Sequence, residues 1–239
     1  MNFHAIILAA GSGKRMGIKE KKQFLMVNDK AIFIHSLLAF GRIRDIKEII
    51  CVYHEDDFQR YKILIDREPG LVDRVKLVAG GNERSESVMN GLEALKENSE
   101  PEDYVLIHDG ARPLINAKDI NTLMETLKEP ECKGATLGYK ISDTIKKVDD
   151  QGFINKNVPR KKLWGIMTPQ GFHLDTIYKA HKNNDDNKVT DDTELLIAQN
   201  QNVKIVEGSK QNLKLTTKED LTLIELYFKV KQLKIESPF

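Results

Sequence analysis

The apolar run 5–8 leads directly into Ala9, Ala10, Gly11, Ser12 and Gly13, and Lys14, Arg15, Lys19, Lys21 and Lys22 then follow with only Glu20 against them. Glycines let a main chain approach an anion closely and turn amide N–H groups toward it, and the positive end of a following helix would add to that field. The turn 9–13 can therefore cradle phosphates, and Arg15 and Lys22 are the cations expected to touch them. Gly11, Gly13 and Gly17 do not have the G-x-G-x-x-G spacing of a dinucleotide fold, and no Gly-Lys-Ser/Thr follows to make a Walker loop. The competing meaning of the charge run is a solvated loop.

A second cluster, Ile107-His108-Asp109-Gly110-Ala111-Arg112-Pro113, follows another apolar run. In a parallel sheet its polar groups emerge at the carboxyl edge, where ligands bind. An aspartate there can hold Mg²⁺ against phosphate oxygens, and Arg112 offers a planar fork to a second phosphate. The alternative has Asp109 capping the next helix with Arg112 paired to it on the surface. His108 reads as a packed strand residue, since nothing near it in sequence supplies a triad. A third segment, 79–88, again joins strand to helix through glycines. Backbone groups of Gly80 and Gly81 with the Ser87 hydroxyl could meet the edge of a flat heterocycle, or Asn82 or Ser85 could simply cap a helix. Thr144, Arg160, Thr168 and Lys214 are further candidates, each ambiguous alone, and Trp164 reads as a packing anchor.

The elements that must position these residues are legible as alternation. Strand-length apolar runs at 5–8, 48–52, 75–78, 104–107 and 135–137 are mostly separated by amphipathic stretches, 32–40, 58–65, 85–95 and 120–127, of helical period. This predicts an α/β fold, a three-layer sandwich around a mostly parallel Rossmann-like sheet. The rhythm breaks at about 139–163, where 144–148 and 153–158 flank Asp149-Asp150-Gln151-Gly152 and predict a β-hairpin arm. A lone two-stranded ribbon is marginal in water, so the arm is expected to dock on a second copy and make a homodimer. Helices near 174–182 and 191–199, a strand at 203–206 and a closing helix from 218 complete a single expected domain over 1–239.

Bulk properties narrow the partners. Lys and Arg number 37 against 36 Asp and Glu, a net charge of +1, which argues against a nucleic-acid surface. Two cysteines are too few for a disulfide framework or a zinc-ribbon pair, and the opening apolar run is too short for a signal peptide or a membrane span, so a cytoplasmic setting is expected.

Taken in order, Leu-Ala-Ala-Gly-Ser-Gly-Lys-Arg-Met, Lys-Lys-Gln-Phe-Leu, Gly-Gly-Asn-Glu-Arg-Ser-Glu-Ser-Val, His-Asp-Gly-Ala-Arg-Pro, Asp-Thr-Ile-Lys, Thr-Pro-Gln-Gly-Phe and Asn-Leu-Lys-Leu-Thr make the chain resemble the 2-C-methyl-D-erythritol 4-phosphate cytidylyltransferases over nearly its whole length. The resemblance implies transfer of the cytidylyl group of CTP to 2-C-methyl-D-erythritol 4-phosphate with release of pyrophosphate, a step of non-mevalonate isoprenoid synthesis that requires Mg²⁺. It implies that Ala9, Ala10, Gly81, Asn82 and Ser87 surround cytosine and ribose, that Arg15 and Lys22 hold the triphosphate, and that Asp109 binds the metal. Arg112, Thr168 and Lys214 would face the acceptor phosphate, and Thr144 and Arg160 would reach into the neighbouring subunit's site. Two departures stand out. Lys21 replaces the proline many members place before the lysine matching Lys22, and Gln211 stands where some carry an acid. Ribitol 5-phosphate cytidylyltransferase is the nearest alternative, and a non-catalytic nucleotide-binding dimer is another.

Overall fold

The computed structural model describes residues 1–11, 20–184 and 189–236, the last four by backbone only. Its opening strand β1 (Phe3–Leu8) is followed by the short pair β2 (Met26–Val27) and β3 (Lys30–Ala31), then α1 (Ile32–Gly41), β4 (Ile46–Tyr53), α2 (Phe58–Asp66), β5 (Val75–Ala79), α3 (Arg84–Lys96), β6 (Tyr104–Asp109) and α4 (Ala117–Leu127). Next come β7 (Gly134–Lys140), β8 (Ile145–Val148), β9 (Ile154–Val158), β10 (Trp164–His173), α5 (Leu174–Lys182), α6 (Thr193–Ala198), β11 (Val203–Glu207) and α7 (Lys218–Glu236).

Seven strands form one sheet in the order β11-β7-β10-β6-β1-β4-β5. The β5, β4, β1 and β6 neighbours run parallel, as do β11 and β7, while β10 is antiparallel to both its neighbours. The mostly parallel sheet between helices is thus as expected. Both faces are covered, which is why residues 5–8 of β1 read as an unbroken apolar run. Ala5 and Ile7 point to a layer containing Phe33, Leu37, Ile120, Leu123 and Leu127. Ile6, of opposite pleat, points to Val88, Leu92, Leu95, Leu174 and Ile177. A smaller cluster of Val27, Ile32, Leu114, Leu215 and Ile224 seats α7 at the carboxyl edge of the sheet.

One central strand escapes sequence reading. Gly165, Pro169 and Gly171 are residues that ordinarily demote a strand, yet they sit inside β10. The ladder to β7 breaks between Ile166 and Gln170, so Pro169, whose peptide with Thr168 is cis, needs no ladder donor there. The predicted hairpin is present as β8 paired with β9, a separate two-stranded sheet. Its side chains are mostly exposed, among them Val148, Phe153 and Ile154.

Candidate active site

The carboxyl ends of β1, β4, β5 and β6 open onto one cleft of about 710 Å³. Its lining includes Ala9, Ala10 and Gly11 after β1, His54 and Glu55 after β4, Gly80, Gly81 and Asn82 after β5, and Asp109 at the tip of β6. Lys22 and Gln23 enter from the turn before β2, Arg84 and Ser87 from α3, and Lys214 from the segment before α7. Topology explains the convergence, since parallel strands deliver every following turn to the same edge.

The turn walls are set by close backbone approach. A Cβ on Gly80 would lie 2.8 Å from the Ala10 Cβ and 2.9 Å from Ser87 Oγ, so only glycine lets the turns after β1 and β5 meet. The Gly80 N–H donates to Tyr53 O at 2.7 Å, and the Gly81 N–H donates to Ser87 Oγ at 3.1 Å. Asn82 N–H is taken by the Glu86 carboxylate at 2.8 Å. Neither Asn82 nor Ser85 caps the helix as expected: its N-cap is Glu83, with no side-chain cap bond, and it is the Ser87 and Glu86 side chains that take the N–H groups of the turn. At Gly11 a Cβ would meet nothing within 4 Å among the described residues.

Asp109 is the electrostatic centre. Lys214 Nζ lies 2.8 Å from its Oδ2 and Arg112 Nε 3.5 Å from the same oxygen. Burial alone would raise this carboxyl, but Lys214, Arg112 and Arg84 together hold it well below the usual carboxylate range. Its backbone N–H donates to Thr168 Oγ1 at 3.0 Å, and Thr168 Oγ1 lies 3.1 Å from His108 Nδ1. His108 Nε2 in turn lies 3.2 Å from Arg112 O. A carbonyl can only accept, so Nε2 carries the proton and Nδ1 accepts from the Thr168 hydroxyl. Burial, offset in part by Asp109, lowers the His108 pKa to about 4, which keeps the ring neutral near pH 7.

Arg112 does not lie on the surface as an exposed partner of Asp109; its side chain is 12% exposed. Its Nη1 donates to Asn212 O at 2.8 Å, and Asn212 Nδ2 donates to Thr168 O at 2.8 Å. Arg112, Thr168 and Asn212 thus form a floor beneath Asp109 and Lys214. Lys22 reaches the same segment, with Nζ 3.4 Å from Leu215 O. Ser12, Gly13 and Arg15 fall outside the described residues. Thr144 and Arg160 are exposed on the hairpin, where the Arg160 guanidinium donates to Ser142 O, and neither lines the cleft of its own chain.

Sequence reading passed over Gln23, His54, Glu55 and Arg84. Arg84 forms a two-pronged pair with Asp192, at 2.9 and 2.6 Å, and Asp192 is fully buried. Asp192 also meets His181 Nε2 at 3.1 Å and takes the Gln170 Oε1 as acceptor for its backbone N–H at 2.9 Å. This network ties the start of α3 to α5, β10 and α6. No local signal joins Arg84 to Asp192, which only the tertiary fold brings together.

A parallel sheet whose glycine turns and clustered cations face one another over an ionised aspartate defines an α/β enzyme of the nucleotidyltransferase class. The family model for 2-C-methyl-D-erythritol 4-phosphate cytidylyltransferase (IspD) matches residues 3–230. The chain is 38% identical over 231 residues to the enzyme of that name from Desulforamulus reducens, covering 95% of this chain and 96% of that one. To the Alkaliphilus metalliredigens enzyme of the same name it is 39% identical over 221 residues, 91% and 89% of the two chains. Among solved structures, 4-diphosphocytidyl-2C-methyl-D-erythritol synthase from Anaerococcus prevotii superposes with a TM-score of 0.81 at 31% identity, covering 95% of this chain and 96% of that one. The chain belongs to the 2-C-methyl-D-erythritol 4-phosphate cytidylyltransferase family.

Proposed function

We propose that the cleft binds CTP and 2-C-methyl-D-erythritol 4-phosphate and joins them into 4-diphosphocytidyl-2-C-methyl-D-erythritol, releasing pyrophosphate. The observation that carries this reading is the meeting of the two glycine turns with Asp109 and Lys214 in a single cleft, in a chain of this family. An acceptor phosphate oxygen attacks the α-phosphorus of CTP. The new P–O bond forms as the bond from the α-phosphorus to the bridging oxygen breaks, and that oxygen leaves with pyrophosphate. The acceptor phosphate is ionised near neutral pH, so no general base is needed. The obstacle is the approach of two anions, which positioning and charge neutralisation overcome.

In this assignment Ala9, Ala10, Gly81, Asn82 and Ser87 hold cytosine and ribose, while Gly11, Ser12, Gly13, Arg15 and Lys22 hold the triphosphate. Lys214, Arg112 and Thr168 serve the acceptor phosphate, and Thr144 and Arg160 reach the site of a second subunit. Asp109 suits Mg²⁺, being an ionised oxygen ligand at the cleft. Among the described residues no group of three or more His, Cys, Asp or Glu side chains could hold a metal ion, which fits a cation that keeps water and substrate phosphates as its other ligands. Bound there, Mg²⁺ would neutralise charge on the phosphate oxygens.

A homodimer is part of this reading, supported by the exposed apolar side chains of the arm. A cytoplasmic location is supported by Cys51 and Cys132, both buried and free. No described helix is long and apolar enough to cross a membrane. The decisive assay offers the methylerythritol and ribitol phosphates in competition for CTP with Mg²⁺ and follows pyrophosphate. Preferential consumption of the first is expected. Preference for ribitol phosphate would overturn the acceptor assignment, and CTP binding with no pyrophosphate release would point to a non-catalytic dimer.

A further inference from the structure

Gln23 is 2% exposed, lines the cleft, and leaves both Nε2 and Oε1 buried without a hydrogen-bond partner among the described residues. Such a carboxamide is costly to keep, since a buried polar group without a partner forfeits its hydration for nothing in return. Its surroundings do not supply the missing bonds. Gln23 stands near the phenol of Tyr61, but that hydroxyl already gives its proton to Ala9 O at 2.6 Å and has only lone pairs left. A contact from Nε2 to it would use one of that group's two N–H protons and leave the other free for a ligand. Gln23 also shares its short turn with Lys22, and both line the cleft together with Gly11. What enters this part of the cleft, on the reading of the site given above, is the phosphate chain of the nucleotide.

We infer that Gln23 is a nucleotide-binding residue whose Nε2 donates to an oxygen of the CTP triphosphate, completing in the complex a hydrogen bond the protein alone does not make. The residue is kept for binding at the expense of stability, so the two effects of removing it should have opposite sign. Gln23→Met preserves length and removes both polar atoms. Without ligand, this variant is expected to melt at the same temperature as the unmodified chain or higher, because no protein hydrogen bond is lost.

A hydrogen bond to a charged phosphate sets the scale of the binding loss, so affinity for CTP should fall about tenfold or more. Affinity for cytidine, which has no phosphates, should stay unchanged. Gln23→Glu, of similar volume, places a carboxylate against the phosphates and should weaken CTP further than Gln23→Met does. Dissociation constants by calorimetry and melting curves by circular dichroism read all four quantities. A lower melting temperature or failure to fold for Gln23→Met, unchanged CTP affinity in either variant, or equal losses of CTP and cytidine would each overturn the assignment. Failure of the unmodified chain to bind CTP would instead remove the functional reading itself, and this inference with it.

Discussion

At Asp109 a buried carboxylate stays ionised because Lys214, Arg112 and Arg84 converge on it. That arrangement places a fixed negative charge among the cations that the proposed function assigns to phosphates, where the geometry of the donors counts for more than their number. Lys22→Ala and Arg15→Ala are each expected to lower turnover roughly 100- to 1000-fold at saturating substrates, measured by pyrophosphate release. Near-normal turnover in either would remove that residue from the transition state. His108 gives a second residue-level test. Its folded pKa of about 4 lies below its ordinary value of 6.5, so it binds fewer protons folded than unfolded between those limits. Its contribution to stability is complete above about pH 6.5 and lost as the pH falls through about 4. Nitrogen-15 NMR should show a neutral Nε2–H ring that resists protonation until near pH 4. A titration near 6.5 would mean that the Thr168–His108–Arg112 relay does not exist in solution.

At the scale of elements, the long periodic segments announce themselves and the irregular ones do not. The apolar run at 5–8 lies within β1 and the amphipathic stretch 85–95 within α3, because a run buried on both faces and a stripe of helical period are each written locally. The strand β10 is written with Gly165, Pro169 and Gly171, and only its pairing with β6 and β7 makes it a strand. The same holds for the clamp that sets the start of α3. Arg84 and Asp192 lie on separate elements, and their pair is largely withdrawn from water. Removing one partner strands the other, so Asp192→Ala is expected to cost about 3–5 kcal/mol in urea denaturation. Replacing both residues by apolar ones of similar size should cost far less. Equal losses for the single and double replacements would show that the pairing itself contributes little.

For the whole molecule, the proposed assembly rests on the hairpin of β8 and β9, whose Phe153 and Ile154 are 67% and 66% exposed. Side chains of this size left in water on a two-stranded ribbon are what the proposed second copy would cover. Phe153→Asp is expected to shift the protein from dimer to monomer in light scattering and to reduce activity. Its circular dichroism spectrum should stay unchanged, since the arm contributes nothing to either main core layer. A dimer that survives this charge would place the interface elsewhere.

The amino-acid order by itself determined the α/β class, the hairpin and the ordered motifs that mark the family. Each of these is a pattern among near neighbours along the chain, and near neighbours share one local environment. Only the tertiary structure decided that Lys214 stands on Asp109, that Arg84 is locked to Asp192, and that Gln23, at the cleft, has its carboxamide buried without a partner among the described residues. Those facts belong to pairs and clefts assembled by the sheet order, where burial strengthens charge interactions and penalises any polar group left unmatched.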